Sequence, residues 1–201
     1  MKRPASGSAA TPPFAVSKPV VTKTTSLNPK AAAAVVSADG RAGAILFGDP
    51  KFGDLQIGLG TPEKALSATK LVTFRAQVAA PADRSVFGFR QVLRGFVNKG
   101  KGSRVVIVAD LAGTTKVFEY PFGEEVTDEN FTHAFVTPDV NLTTGTEEVA
   151  PLPEFAGTIT LLVQVRSPDD GVLAAIDSLD FEALVAGGPI EAPKQTPAKK
   201  R

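Results

Sequence analysis

The sequence predicts an all-β protein, an antiparallel β-sandwich that follows a long extended N-terminal arm. Three observations carry this. From about Thr69 onward apolar and polar residues alternate with period two. Turn residues punctuate that alternation at short intervals. No convincing helical stretch interrupts it. The 201 residues suffice for one ordinary domain with some length to spare, and a hydrophobic content of 43% makes a core possible.

The arm comes first, over residues 1–68. It holds 7 of the 16 prolines and 7 of the 18 glycines with only three aromatics, so alone it cannot bury enough apolar area to offset the entropy of ordering it. Two short apolar runs stand out within it. Ala44-Ile45-Leu46-Phe47 and Leu55-Gln56-Ile57-Gly58-Leu59 are each long enough for one strand. These pieces, with Ile45, Phe47, Leu55 and Ile57 as anchors, are expected to dock onto this domain or a neighbouring subunit.

The sandwich is expected over 69–185. Val72, Phe74, Ala76 and Val78 alternate with Thr73, Arg75 and Gln77, as a strand with one buried face requires. Further strands are expected over 85–97, 104–111, 114–120 and 130–136. The clearest is carried by Ile159, Leu161, Val163 and Val165, and the last two span 172–176 and 179–185. Between them lie Pro81-Ala82-Asp83, Asn98-Lys99-Gly100-Lys101-Gly102, Ala112-Gly113, Pro121-Phe122-Gly123, Thr137-Pro138-Asp139 and Pro168-Asp169-Asp170-Gly171. Val105-Val106-Ile107-Val108 is apolar on both faces and reads as a central strand. Ala186-Gly187-Gly188-Pro189 ends the domain, and 186–201 form a short basic tail.

What is missing constrains the chemistry more than what is present. The chain has no Cys, no Trp, one His and one Tyr. Disulfides, thiolate nucleophiles and Cys-based metal sites are excluded, and any serine-hydrolase arrangement would have to run through His133 alone. His133 shares a strand face with Phe131 and Phe135, so it is expected to be packed or at a rim. No phosphate-binding loop or dinucleotide fingerprint occurs, and Gly53–Gly60 lacks the required spacing and following lysine. The one plausible metal is calcium, coordinated by Asp177 or Asp180 with loop carbonyls, but both read equally as turn or surface aspartates. No catalytic residue, cofactor or metal is therefore assigned, and the chain is expected to be non-enzymatic.

Charge is unevenly placed. Residues 1–68 carry net +4, residues 69–185 net −6 and residues 186–201 net +3. Arg84, Arg90, Arg94, Lys99, Lys101 and Arg104 follow one another without an intervening acid, whereas 117–165 contain nine acids and no Lys or Arg. Such a body can associate head to tail or receive a neighbour's basic arm. Arg90, Arg94, Lys99 and Lys101 are the expected partner-binding cations. Five basic residues in the first thirty are too sparse an array for polyanion binding, so nucleic acid is not the expected partner. No apolar window is long enough to span a bilayer, and no secretion signal is readable, so no membrane partner is expected.

The closing segments carry a resemblance. Residues 158–166, the turn Pro168-Asp169-Asp170-Gly171, and the strand through Ile176-Asp177-Ser178-Leu179-Asp180-Phe181 resemble the closing hairpin of jelly-roll modules of the carbohydrate-binding type, whose final strand runs Ile-Asp-x-Leu/Val-x-Phe/Leu. The likeness covers about 25 residues and implies a jelly-roll-like sandwich. Modules of that type usually stack sugars on exposed Trp or Tyr; here Trp is absent and Tyr120 stands alone.

The leading functional expectation is accordingly a structural component of a large assembly: a minor capsid or decoration (cement) protein of a virus or phage. It would reside in virions assembled in the host cytoplasm. Its N-terminal arm would clamp neighbouring subunits, either the major capsid protein or copies of itself in a homo-oligomer. The alternative is a carbohydrate- or cell-surface-binding module that uses a concave sheet face.

Overall fold

Alternation in the sequence becomes two facing sheets in the computed structural model, which describes residues 15–17, 20–24, 33–38, 40–47, 55–60, 65–79, 84–123, 127–137 and 154–187. The first sheet contains β1 (Ala15–Val16), β2 (Val20–Thr24), β6 (Ser67–Ala79), β8 (Ser103–Leu111), β9 (Thr114–Tyr120) and β11 (Glu154–Val165). It is ordered β1-β6-β11-β8-β9, with β2 also on β6. The second contains β3 (Ala33–Val36), β4 (Ala42–Leu46), β5 (Leu55–Leu59), β7 (Arg84–Lys99), β10 (Thr127–Thr137) and β12 (Val172–Gly187). Its order is β10-β7-β12-β4-β3, with β5 also on β12. Every pairing is antiparallel.

The connectivity identifies the fold as a jelly roll. β5 pairs with Val172–Ile176 of β12 and β4 with Ser178–Glu182, so the two together act as one interrupted strand beside β12. Counted that way, eight strands form two four-stranded layers, β10-β7-β12-β4/β5 over β6-β11-β8-β9. The chain crosses between layers at nearly every step, as two interlocked Greek keys require.

Of the two placements expected for the apolar pieces of the first third, onto this domain or onto a neighbour, the described residues show the first. The described strands of that third belong to both sheets, and the first jelly-roll strand is drawn from it. The physical reason is that β12 supplies the backbone partners that a Gly- and Pro-rich segment cannot supply itself. Once paired, five-residue strands need only a few apolar side chains to hold. Ile45, Phe47, Leu55 and Ile57 are 0%, 1%, 0% and 4% exposed, inside the same core as Phe74 and Leu161. The expected strands over 172–176 and 179–185 are one strand with a bulge at Asp177, whose carbonyl accepts from the Phe47 amide at 2.7 Å. Residues 1–14 and the tail beyond 187 lie outside the described residues, as do Glu124, Glu125, Glu147 and Glu148 of the acidic stretch.

Phenylalanine joins the layers. Phe155 of the first sheet stacks on Phe181 of the second at 4.2 Å and packs against Phe89 at 4.7 Å and Phe74 at 5.6 Å. Each such pair adds about 0.5–1.5 kcal/mol beyond the area it buries. Gly95 in β7 is required by close approach: a Cβ there would run into the Ala175 carbonyl oxygen and the Phe131 ring.

Candidate functional site

The groove with the clearest binding geometry lies on the outer face of the second sheet. Phe89, Gln91 and Leu93 of β7 point into the core, so Arg90, Val92 and Arg94 point out. On β12 Leu179, Phe181 and Ala183 face inward, which turns Asp180 and Glu182 outward beside them. Small residues on β4, Ala42 and Ala44, let the surface sink between this charged wall and the edge strand β3. There Val35 and Val36 remain 52% and 37% exposed. Gly43 lies between the two alanines, and a Cβ there would meet the Phe181 ring at 2.5 Å. The resulting groove has a volume of about 380 Å³.

Its rim is held by a local hairpin. The Ser37 amide donates to the Ala42 carbonyl at 2.9 Å, and the Ala42 amide donates to Ser37 Oγ at 3.0 Å. Gly40 closes the turn at φ 71°, a left-handed conformation that favours glycine. The walls are ion-paired. Arg90 lies directly across from Glu182 in the ladder, with Nη1 and Oε2 3.5 Å apart. Arg94 reaches diagonally to the Asp180 carboxylate and donates to Oδ2.

The structure thus distributes the sequence-derived site residues among four environments. Ile45, Phe47, Leu55 and Ile57 fill this chain's own core, the first of the two placements expected for them, which leaves them no exposed surface as partner-binding anchors on a neighbour. Arg90 and Arg94 come together on the groove wall, each with an acid from β12. Lys99 shares the inward parity of Leu93 and Val97 and is fully buried, its Nζ donating to the Pro121 carbonyl at 2.9 Å. It is thereby removed from any acidic partner. Lys101 is exposed in the turn after β7. Arg104 belongs to the first sheet, bound to Glu119 at 2.8 Å and Gln164 at 3.2 Å. The run of cations in the sequence is therefore not one basic patch in space.

His133 sits in a seam where the edge strands β9 and β10 meet. Its ring stacks on Phe118 at 4.0 Å and 1°, and on Phe131 at 4.9 Å and 20°. Tyr120 Oη lies 3.3 Å from Nε2. Burial pushes the imidazole below its ordinary value, and nearby Glu129 opposes this with a smaller effect. Burial, with Glu129 second, pushes the Tyr120 phenol up to about 12. A ring so stacked is a packing element of the sandwich edge. Burial also raises the Asp177 carboxyl, and Asp180 is paired with Arg94. Among the described residues, no three His, Asp or Glu side chains gather as a metal set would.

Glu182, Val92, Ala42, Val35 and Val36 carry no signal of their own in the sequence; Asp180 stands out there only as a calcium candidate, and Ala44 only as part of an apolar run. Arg90-Gln91-Val92 and Asp180-Phe181-Glu182 carry the available signal, outward polar positions bracketing an inward one, but nothing in the sequence indicates that those two strands adjoin.

No protein-family model matches the chain, and no curated protein matches it. Among solved structures it is similar to the carbohydrate-binding module TmCBM61 in complex with β-1,4-galactotriose, at 13% identity over 86% of this chain and 89% of that one, with a TM-score of 0.34. The carbohydrate-binding module CBM36 in complex with calcium and xylotriose is similar at 14% identity over 80% and 100%, with a TM-score of 0.27. The CBM36-1 domain of a multidomain xylanase from the hindgut metagenome of Trinervitermes trinervoides gives 13% identity over 84% and 100%, with a TM-score of 0.25. The jelly-roll assignment rests on this chain's own strand pairing.

Proposed function

We propose that the chain is a non-catalytic glycan-binding module and that the outer groove of the second sheet is its binding surface. The observation that carries the reading is the composition of that groove. Val35, Val36, Ala42, Ala44 and Val92 offer an apolar surface, and Arg90, Asp180 and Glu182 place hydrogen-bonding groups beside it. A sugar ring presents the matching surfaces, C–H faces and hydroxyl edges. Sites for small ligands generally combine an apolar lining with a few convergent polar groups. The charged wall of the groove stands on β7 and β12, interior strands of the sheet, which favours a fixed placement of its polar groups.

The clamp reading has less to stand on, since the apolar anchors of the first third, Ile45, Phe47, Leu55 and Ile57, are covered by this chain's own core. The test is a glycan array with the full chain, followed by titration of any hit against Ala44→Phe. The phenyl group would fill the groove from an outward-facing position and leave the core intact. The expected result is binding by the parent and a loss of at least about tenfold in the variant, the equivalent of about 1.4 kcal/mol. Equal binding by both would remove the groove from the reading.

A further inference from the structure

We infer that the groove selects uncharged glycans, and that Glu182 and Asp180 set this selectivity by keeping Arg90 and Arg94 neutralised. The inference rests on the glycan-binding reading and adds the charge class of the ligand.

Charge lines the groove at three positions, Arg90, Asp180 and Glu182, and Arg94 reaches Asp180 from just beyond it. Two guanidiniums thus face two carboxylates, and the wall sums to zero. A uronate or sulfated sugar would have to draw a guanidinium from its carboxylate and leave that carboxylate beside the incoming anion, a like-charge contact that disfavours the complex. An uncharged sugar displaces nothing. A hydroxyl both donates and accepts, so it can donate to a carboxylate oxygen and accept from a guanidinium N–H at the same time.

The geometry of the outer pair suits this. Arg90 Nη1 and Glu182 Oε2 are 3.5 Å apart, longer than the usual N–H···O range of about 2.7–3.2 Å. Their hydrogen-bonding capacity is therefore not used up on each other. The two side chains are 61% and 49% exposed, so a hydroxyl can bridge them without stranding a buried charge.

The test uses the full chain, neutral xylo- and galacto-oligosaccharides, and an oligogalacturonate of equal length. The parent is expected to bind a neutral oligomer, with affinity insensitive to salt, and the uronate measurably but more weakly. Glu182→Gln frees Arg90, and the ratio of uronate to neutral affinity should rise at least about fivefold at low salt and fall back as salt screens it. Arg90→Gln should not produce that rise. Thermal melts of both variants check that the fold is retained, and both side chains are exposed enough for this to be expected.

A parent that prefers the uronate, or a Glu182→Gln ratio equal to the parent's, would overturn the inference while leaving the groove as a glycan site. If the parent binds no glycan and instead dimerises in a way that Ala44→Phe blocks, a second copy occupies the groove. Both the inference and the reading beneath it would then fail.

Discussion

Replacing Ile45 by Ala separates a jelly roll whose first strand begins at residue 42 from one that begins near 69. Ile45 is 0% exposed, sits on β4 opposite Leu179 of β12, and belongs to the shared core. The substitution removes three carbons, worth about 0.8 kcal/mol each in lost transfer free energy, or about 2.4 kcal/mol. A strand held by backbone bonds on both sides cannot collapse fully onto the vacancy, so a cavity contribution brings the cost to about 3–4 kcal/mol. For a domain of this size that corresponds to a fall in Tm of roughly 6–16 °C. The control is Val35→Ala on the adjacent strand, where the side chain is 52% exposed and the expected change is within about 0.5 kcal/mol. Urea unfolding of both variants against the parent, followed by far-UV circular dichroism, measures the difference. If Ile45→Ala unfolds at the parent's midpoint, residues 42–46 are not part of the cooperative unit and the jelly-roll account of the first third is wrong.

Removing residues 1–60 takes away β4 and β5 together, so the remainder is expected to lack a cooperative melt; a sharp transition would contradict the strand order. Gly95→Ala sets a methyl group against the Ala175 carbonyl and the Phe131 ring, and should destabilise by about 3 kcal/mol or more in the same urea assay. The folded state disfavours protonated His133, so between its lowered value and the ordinary 6.5 the unfolded chain binds more protons than the folded chain. Stability from this group is therefore complete above 6.5 and declines as pH falls through that window. His133→Phe should show a shallower decline than the parent from about pH 7.5 to about pH 5, and parallel curves would refute the burial argument.

Most of the sandwich after residue 69 was legible because one-sided strands repeat with period two. Ile159, Leu161, Val163 and Val165 identify β11 with no other information, and each is buried. The first third was half legible. Its two apolar runs were recognisable as strands, but strand propensity does not say whose backbone completes the hydrogen bonds, and β12 lies more than a hundred residues away in sequence. The site was less legible for the same reason. Arg90 and Arg94 stood out as members of a cationic run, yet what they do depends on Asp180 and Glu182, brought alongside only by the β7–β12 register. Lys99 was misassigned by parity: it follows Leu93 and Val97 onto the inner face, where its ammonium group finds a carbonyl instead of solvent.

The most direct examination of the binding account is a residue-resolved titration: amide chemical shifts of the isotope-labelled full chain followed as a neutral oligosaccharide is added. The account predicts saturable shifts concentrated at Val35, Ala42, Ala44, Val92 and Asp180, with the Phe118–His133 seam unmoved. Shifts confined to that seam or to the first sheet, with the groove amides unchanged, would contradict it.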